Sequence, residues 1–444
     1  MTGRVQTPTE ERGPTVTAAD PSAPDAVPCR VDVVCLGESM VAFRPAAERA
    51  PLADAAVFAR GIGGAESNVA CALAAAGHRT QWVGRVGTDA FGDHLVAAIA
   101  AYGVDVSAVQ RDPARPTGVY FRTAGERSVG LPAPPAAPPG DGGPPLSEVL
   151  YYRAGSAASA MSPALVPRAA AWSGRVLHLT GITAALSAGC LALLRALTER
   201  RPGRPLVSFD VNYRTALWRN APEGPAVLAS LARRSDLVFV GEDEAEAAWG
   251  LHGAAAIRSA LPEPRVLVVK RGAAGATAYV RTSAETFTEA VAEASADGPG
   301  AGGAHPEADA DAGDDAGLDA VVTVPAPSVD VVAPVGAGDA FAAGFLSGTL
   351  RGLTPGQCLR HGHLMAAAAL TAPGDLAAPP RRDHADRLAA LGPAEWGRLR
   401  LGPGWTTDAM DTPDTPGTPD TPGTPDIPEA PAPAAPVSAK ERTP

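Results

Sequence analysis

The residues Gly336-Ala337-Gly338-Asp339 stand directly before a run of helix formers in VVAPVGAGDAFAAGFLSG, residues 331–348. Glycines at 336 and 338 let backbone N–H groups converge without side-chain obstruction. A helix N-terminus adds partial positive charge, so such a loop can hold phosphate. The same residues also read as an ordinary Gly turn with an acidic helix cap. With 48 glycines in the chain, short Gly-Ala clusters arise by chance. What decides between these readings is where the other charged candidates fall. Asp210, Glu242 and Lys270 each sit at the close of a short apolar run, and the Gly336 loop does the same.

Those runs alternate with helical patterns. VDVVCLG (31–37), TQWVGRVG (80–87), RVLHLTG (175–181), PLVSFDVN (205–212), DLVFVG (236–241) and RVLVVKRG (265–272) predict strands. ESNVACALAAAGH (66–78), FGDHLVAAIAAYG (91–103), SAGCLALLRALTER (187–200), the segment after Glu242, and the segment opened by Asp339 predict helices. Strands of five to eight residues alternating with longer helices imply an α/β fold with a parallel sheet covered on both faces. Ligands in such sheets bind beyond the carboxyl ends of the strands, which is where the charged candidates lie.

Composition narrows the classes. With 444 residues and 45% hydrophobic content, the chain can bury a large core. A net charge of -11 argues against bulk electrostatic binding to nucleic acid or an anionic membrane. The five cysteines (29, 35, 71, 190 and 358) show no CxxC or Cys/His ligand spacing, which fits a reducing compartment and no structural zinc. No stretch reaches the apolar length of a membrane span, and the N-terminus lacks a secretory pattern, so a cytoplasmic location is expected. Residues 1–29 and 405–444, the latter with DTPDTPGTPDTPGTPD, read as solvated tails around a domain spanning 30–404. Low-complexity insertions interrupt that domain near 131–145 and 289–319; the second is acidic but lacks the spaced ligands of a calcium loop.

Eight blocks in order carry a family resemblance: GGAESNVA (63–70), VGRVGTDAFG (84–92 and flanks), TGVYFR (117–122), YYRAGSA (151–157), LHLTGITAALS (177–187), DVNYRTALW (210–218), VKRGAAGA (269–276) and PVGAGDAFAAGFL (334–346). They resemble the PfkB, or ribokinase-like, carbohydrate kinases. YYRxGSA together with DVNYRxxLW is most similar to the 2-keto-3-deoxygluconate kinases within them. The resemblance implies a three-layer sandwich with a mostly parallel central sheet and a small β-lid, the lid drawing on the segment between Arg122 and Tyr151 and often pairing two subunits. It implies ATP-dependent phosphorylation of a sugar hydroxyl, here the 6-hydroxyl of a sugar acid, with Mg2+ and, in the wider family, a monovalent cation.

The same resemblance assigns roles. Asp339 is the general base, and the backbone of Gly336, Ala337 and Gly338 is the anion hole. Gly64, Ala65, Asn68, Tyr120, Arg122, Tyr151, Arg153, Arg214 and Asp375 line the substrate pocket, the arginines supplying the donors that a buried carboxylate needs. Asn212, Arg214, Lys270, Gly272, Gly275, Gly336, Gly338 and His363 face the nucleotide, and Glu244 reaches the metal through water. Surface charges, turn residues and caps are the ordinary roles of the same residue types. Three features depart from the family pattern: Ala333 replaces an Asp beside the phosphates, Gly241-Glu242-Asp243-Glu244 replaces Asn-x-x-Glu, and the insertions are long. They leave two other readings: a different PfkB sugar kinase such as a fructokinase, and a catalytically silent sugar-acid binder. A nucleoside kinase is disfavoured by 5% aromatic content.

Overall fold

The computed structural model describes residues 31–46, 50–123, 148–219, 221, 223–281 and 319–407. The tails and both insertions lie outside them, save residues 405–407 and Asp319. Apart from the short pair Ser328–Val329 and Arg400–Leu401, the strands in chain order are β1 (Val31–Leu36), β2 (Met40–Pro45), β3 (Phe58–Gly63), β4 (Thr80–Val83), β5 (Arg85–Gly87), β6 (Gln110–Asp112), β7 (Val119–Arg122), β8 (Val149–Tyr152), β9 (Gly174–Thr180), β10 (Leu206–Asp210), β11 (Leu237–Gly241), β12 (Val266–Lys270), β13 (Ala276–Arg281) and β14 (Asp319–Val324).

Eight of them form the central sheet, in the order β14-β13-β12-β11-β10-β9-β1-β4. From β4 to β12 every pairing is parallel. Only β13 and β14 run antiparallel, as an edge hairpin. The apolar runs are continuous because both faces are covered, and alternate residues serve opposite layers. Val33, Val176, Phe239 and Val268 pack on one side with helices Ala65–Ala75, Ala337–Leu350 and Pro355–Leu370. Val34, Leu177, Val238 and Leu267 pack on the other with helices Ala188–Leu197 and Gly224–Arg234. This is the expected three-layer sandwich.

Two boundaries differ from the sequence expectation. The helix expected to open at Asp339 begins at Ala337, because Gly336 takes φ 70° and turns the chain into the first helical turn itself. Ala337, Gly338 and Asp339 are therefore its first three residues, whose N–H groups have no carbonyl within the helix to bond. The lid is also larger than expected. It is a four-stranded sheet, β3-β2-β7-β8, and two of its strands precede the first long helix. MVAFRP and FARGIG are short and only partly alternating, so period alone did not flag them.

The edge hairpin was missed as well, because one of its strands abuts the acidic insertion. Phe239 marks the centre of the packed layer below the site: fully buried, it meets Phe345 and Phe341 edge-on at centroid distances of 5.5 and 6.5 Å. Phe239→Ala is expected to lower unfolding stability by about 3–5 kcal/mol, the usual cost of such a cavity, read from urea midpoints at constant slope. A loss under 1 kcal/mol would contradict this packing.

Candidate active site

The carboxyl ends of β10, β11 and β12 bring their charged residues together. Lys270, the last residue of β12, donates from Nζ to both carboxylate oxygens of Asp210 at 2.9 and 3.0 Å. Asp210 closes β10 and is buried. Burial opposes the Lys270 charge, but the carboxylates of Asp210 and Glu244, and then Asp339, outweigh it and hold the ammonium protonated above the ordinary lysine range. Arg214, just beyond β10, lies 3.7 Å from Glu244. Between them Asn212 has a positive φ of 42°, rare for a residue with a side chain, and it is buried with Oδ1 unpartnered among the described residues.

Asp339 sits in the first turn of its helix and is half-buried. Asn68 donates from Nδ2 to its Oδ2 at 2.9 Å. Dense surrounding protein pushes its pKa up to about 7, the amide of Asn68 opposing that rise, Asp210 adding to it, and Arg214 and Lys270 opposing it. Lys270 Nζ lies 3.6 Å from where a Cβ on Gly338 would stand, so this ammonium borders the first helical turn. A Cβ on Gly336 would fall 2.3 Å from the Asp375 carbonyl oxygen, which together with its φ makes glycine necessary there.

Asp375 links this turn to the lid. Its Oδ2 accepts from Tyr120 Oη at 3.0 Å and Arg122 Nη2 at 3.3 Å, both on β7. Tyr120 stacks on Tyr151 of β8, with centroids 5.7 Å apart. Arg153 follows β8, lies over the Tyr151 ring at 5.3 Å, and pairs with Glu38, an acid that is 1% exposed. Glu38 also accepts from Ser156 Oγ at 3.5 Å. Sequence reasoning missed Glu38, and its signal was slight: one acid at the end of an apolar run.

Gly64 and Ala65 start the helix that carries Asn68, so the residues read as sugar-facing share one helix start with the partner of Asp339. Gly272 and Gly275, with φ 53° and 108°, turn β12 into β13. His363 is buried, meets the Phe341 ring at 5.2 Å, and its Nε2 lies 3.2 Å from the Val324 carbonyl oxygen. Burial pushes its pKa down to about 4, which keeps the ring neutral. The backbone of Val324 also borders Gly275, so the two meet at the hairpin edge.

Glu244 is buried, and its Oε2 accepts from the Gly241 N–H at 2.9 Å, which caps its own helix. Burial raises its pKa ahead of the opposing pull of Lys270. Among the described residues no three His, Cys, Asp or Glu side chains converge as a metal cage. A narrow cleft bordered by Asn68, Ala72, Gly336, Ala340 and Asp375 runs beside the turn. Two surface hollows of about 520 and 550 Å³ are lined by Arg195, Arg200, Arg234 and Arg265 among others, and none of the candidate residues borders them. No helix among the described residues is long and apolar enough to cross a membrane.

Comparison with known proteins agrees with this architecture. The model of the pfkB family of carbohydrate kinases matches residues 30–137, 147–305 and 314–382. The chain is 31% identical over 359 residues to the 2-dehydro-3-deoxygluconokinase of Bacillus subtilis strain 168, covering 80% of this chain and 94% of that one. It is 30% identical over 260 residues to fructokinase-1 of Oryza sativa subsp. japonica, covering 56% and 73%. The crystal structure of the PfkB protein from Polaromonas sp. JS666 superposes with a TM-score of 0.60 at 30% identity, covering 81% of this chain and all of that one. With its sandwich, its lid and its glycine turn before Asp339, the chain belongs to the pfkB family of carbohydrate kinases, phosphotransferases that act on an alcohol group.

Proposed function

We propose that this kinase transfers the γ-phosphate of ATP to the 6-hydroxyl of 2-keto-3-deoxygluconate, with Asp339 as general base. One observation carries the reading. A carboxyl whose pKa is raised to about 7 stands in a helical first turn whose N–H groups have no carbonyl partner within the helix, and Asn68 holds it in place. A base with a pKa near the working pH removes a proton most effectively. Asp339 takes the alcohol proton as the oxygen bonds to phosphorus and the bond to the ADP oxygen breaks. The N–H groups of Ala337, Gly338 and Asp339 stabilise charge on the moving phosphoryl oxygens, and Lys270 adds a cation at the same turn.

The polar groups available suit a nucleotide. The buried, unpartnered Asn212 amide oxygen and the turn at Gly272 and Gly275 offer polar and backbone contacts beside that cation. Mg2+ would ride mainly on the phosphates, with Glu244 reaching it through water, and would supply further neutralisation of phosphate charge. On the sugar side the reading assigns Tyr120, Tyr151, Arg122, Arg153 and Arg214, with Asp375. Arg122 and Arg153 already balance Asp375 and Glu38. A sugar acid's carboxylate therefore joins guanidiniums that are ordered in advance. Similarity to both a ketodeoxygluconate kinase and a fructokinase supports a sugar-kinase role; the arginines favour the acidic substrate.

A coupled ADP-release assay over a sugar panel tests the substrate, with the keto acid expected to give the highest kcat/KM. Equal or better use of fructose would overturn that choice and leave sugar-kinase chemistry standing. Asp339→Asn is expected to fold normally, with unchanged circular dichroism, and to lose ~10³-fold or more in turnover. Since Asp339 acts deprotonated, the acid limb of the kcat/KM profile is expected to centre near pH 7, the raised value of this carboxyl in the free enzyme. A limb near pH 4 would show that the base is elsewhere or ordinary.

A further inference from the structure

Glu66 lies one residue past Ala65 in the same helical first turn, yet no role in phosphoryl transfer calls for it. Its side chain is 0% exposed. Oε1 accepts from Thr180 Oγ1 at 2.8 Å and Thr183 Oγ1 at 2.7 Å. Oε2 is buried with no hydrogen-bond partner among the described residues, and the backbone N–H of Glu66 itself also favours the carboxylate. The carboxyl lies directly against Gly37: a Cβ there would stand 2.1 Å from Cδ and 2.3 and 2.4 Å from the two oxygens.

That position is a junction. The chain crosses from the core into the lid through Gly37, Glu38 and Ser39, and returns through Gly63 and Gly64. The crossings touch, because a Cβ on Gly64 would fall 2.3 Å from the Glu38 carbonyl oxygen. Ser67 Oγ donates to Ser39 Oγ at 3.0 Å across them. Glu66 supports one crossing from below and belongs to the helix that the other enters. Two residues further along that helix, Asn68 holds Asp339.

The groups facing Glu66 decide its charge. Glu38 stands on the next residue of the crossing, and its own cation, Arg153, is committed to it. Cys35 on β1 and Cys190 on the helix Ala188–Leu197 are buried thiols whose ionisation Glu66 opposes. Thr180 and Thr183 offer hydroxyls without charge. Among the described residues no cation forms an ion pair with Glu66. The helix N-terminus favours a carboxylate here, but a fully buried carboxylate with two hydroxyl donors and a like charge nearby costs more than that gain. Two acids thus share one junction; burial raises the pKa of both, and Arg153 opposes that rise at Glu38 alone, so Glu38 is the first of the two to ionise.

We propose that Glu66 is a positioning residue, held as the neutral acid beneath the two lid crossings, and that it keeps Asn68 set against Asp339. The inference rests on the kinase reading of Asp339. Burial raises the Glu66 pKa to about 7, in line with this geometry. Ionisation above that pH places a second negative charge beside Glu38 and loosens the junction. Because the folded-state pKa is raised, the stability Glu66 contributes is complete below its unfolded value near 4.3, and is lost as pH rises toward about 7.

The test compares wild type with Glu66→Gln, in which the amide keeps the neutral shape. Wild-type kcat is expected to fall on the alkaline side from near pH 7. E66Q is expected to stay within about threefold of wild type at pH 6 and to lose that fall, while its stability relative to wild type rises between pH 5 and 8 in urea titrations. The same alkaline fall and the same pH-dependence of stability in E66Q would overturn the assignment. An independent reading compares infrared spectra of wild type and E66Q at pH 6. Burial also raises the carboxyls of Glu38, Glu244 and Asp339, so the Glu66 band is the protonated-carboxyl band that E66Q loses, and identical spectra also overturn the proposal. If no sugar is turned over at all, the kinase reading fails, while the urea and infrared measurements still decide the state of Glu66.

Discussion

The hydrogen bond from Asn68 to Asp339 joins the two helix starts on which the site is built. One helix begins where the lid returns to the core; the other begins at the Gly336 turn. Neither side chain would be placed without the packing of these two helices against the same face of the sheet. The bond also settles a conflict. Enclosing a carboxyl in protein disfavours its charge, whereas a single amide donor and the first-turn N–H groups favour it. The balance leaves the pKa of Asp339 near neutral pH, which suits the proposed role of base.

Around it, opposite charges are matched pair by pair: Lys270 with Asp210, Arg214 with Glu244, Arg122 with Asp375, and Arg153 with Glu38. Buried pairs of this kind contribute little net stability, because desolvation offsets attraction. Their value here is geometric. Two pairs fix the strand ends below the turn. The other two pin the lid, and the lid pair at Asp375 bears on Gly336 through the Asp375 backbone. The resulting rigidity suits phosphoryl transfer, which depends on alignment more than on covalent chemistry.

Much of this was legible in the sequence, for physical reasons. Continuous apolar runs ending in charged residues mean strands covered on both faces, and they predicted the parallel sheet and the end of it where Asp210, Lys270 and Asp339 meet. The glycine turn before Asp339 was readable because a positive φ leaves few residue choices. The lid strands were harder: a thin sheet with one open face carries weak periodicity. Pairings between distant residues left no local trace. Nothing in YYRAGSA shows that Arg153 is committed to Glu38, and nothing near Lys270 shows that its ammonium rests on Asp210. Glu66 was quoted within a motif, but its burial against Gly37 depends on two crossings that only the folded chain brings together.

The edge hairpin has a separate consequence. Arg281 and Asp319 pair where β13 ends and β14 begins, and the Arg281 N–H bonds the Arg265 carbonyl ahead of β12. The chain therefore leaves at Arg281 and re-enters at Asp319 at the rim of the sheet opposite the strand end that carries Lys270. By contrast, Arg122 and Val149, which flank the other long excursion, pair within the lid itself. The first rim is thus a natural seam for engineering: a reporter domain spliced there, or a shortened linker, would leave the chemistry untouched. The same surgery between Arg122 and Val149 would be carried out on the lid sheet itself.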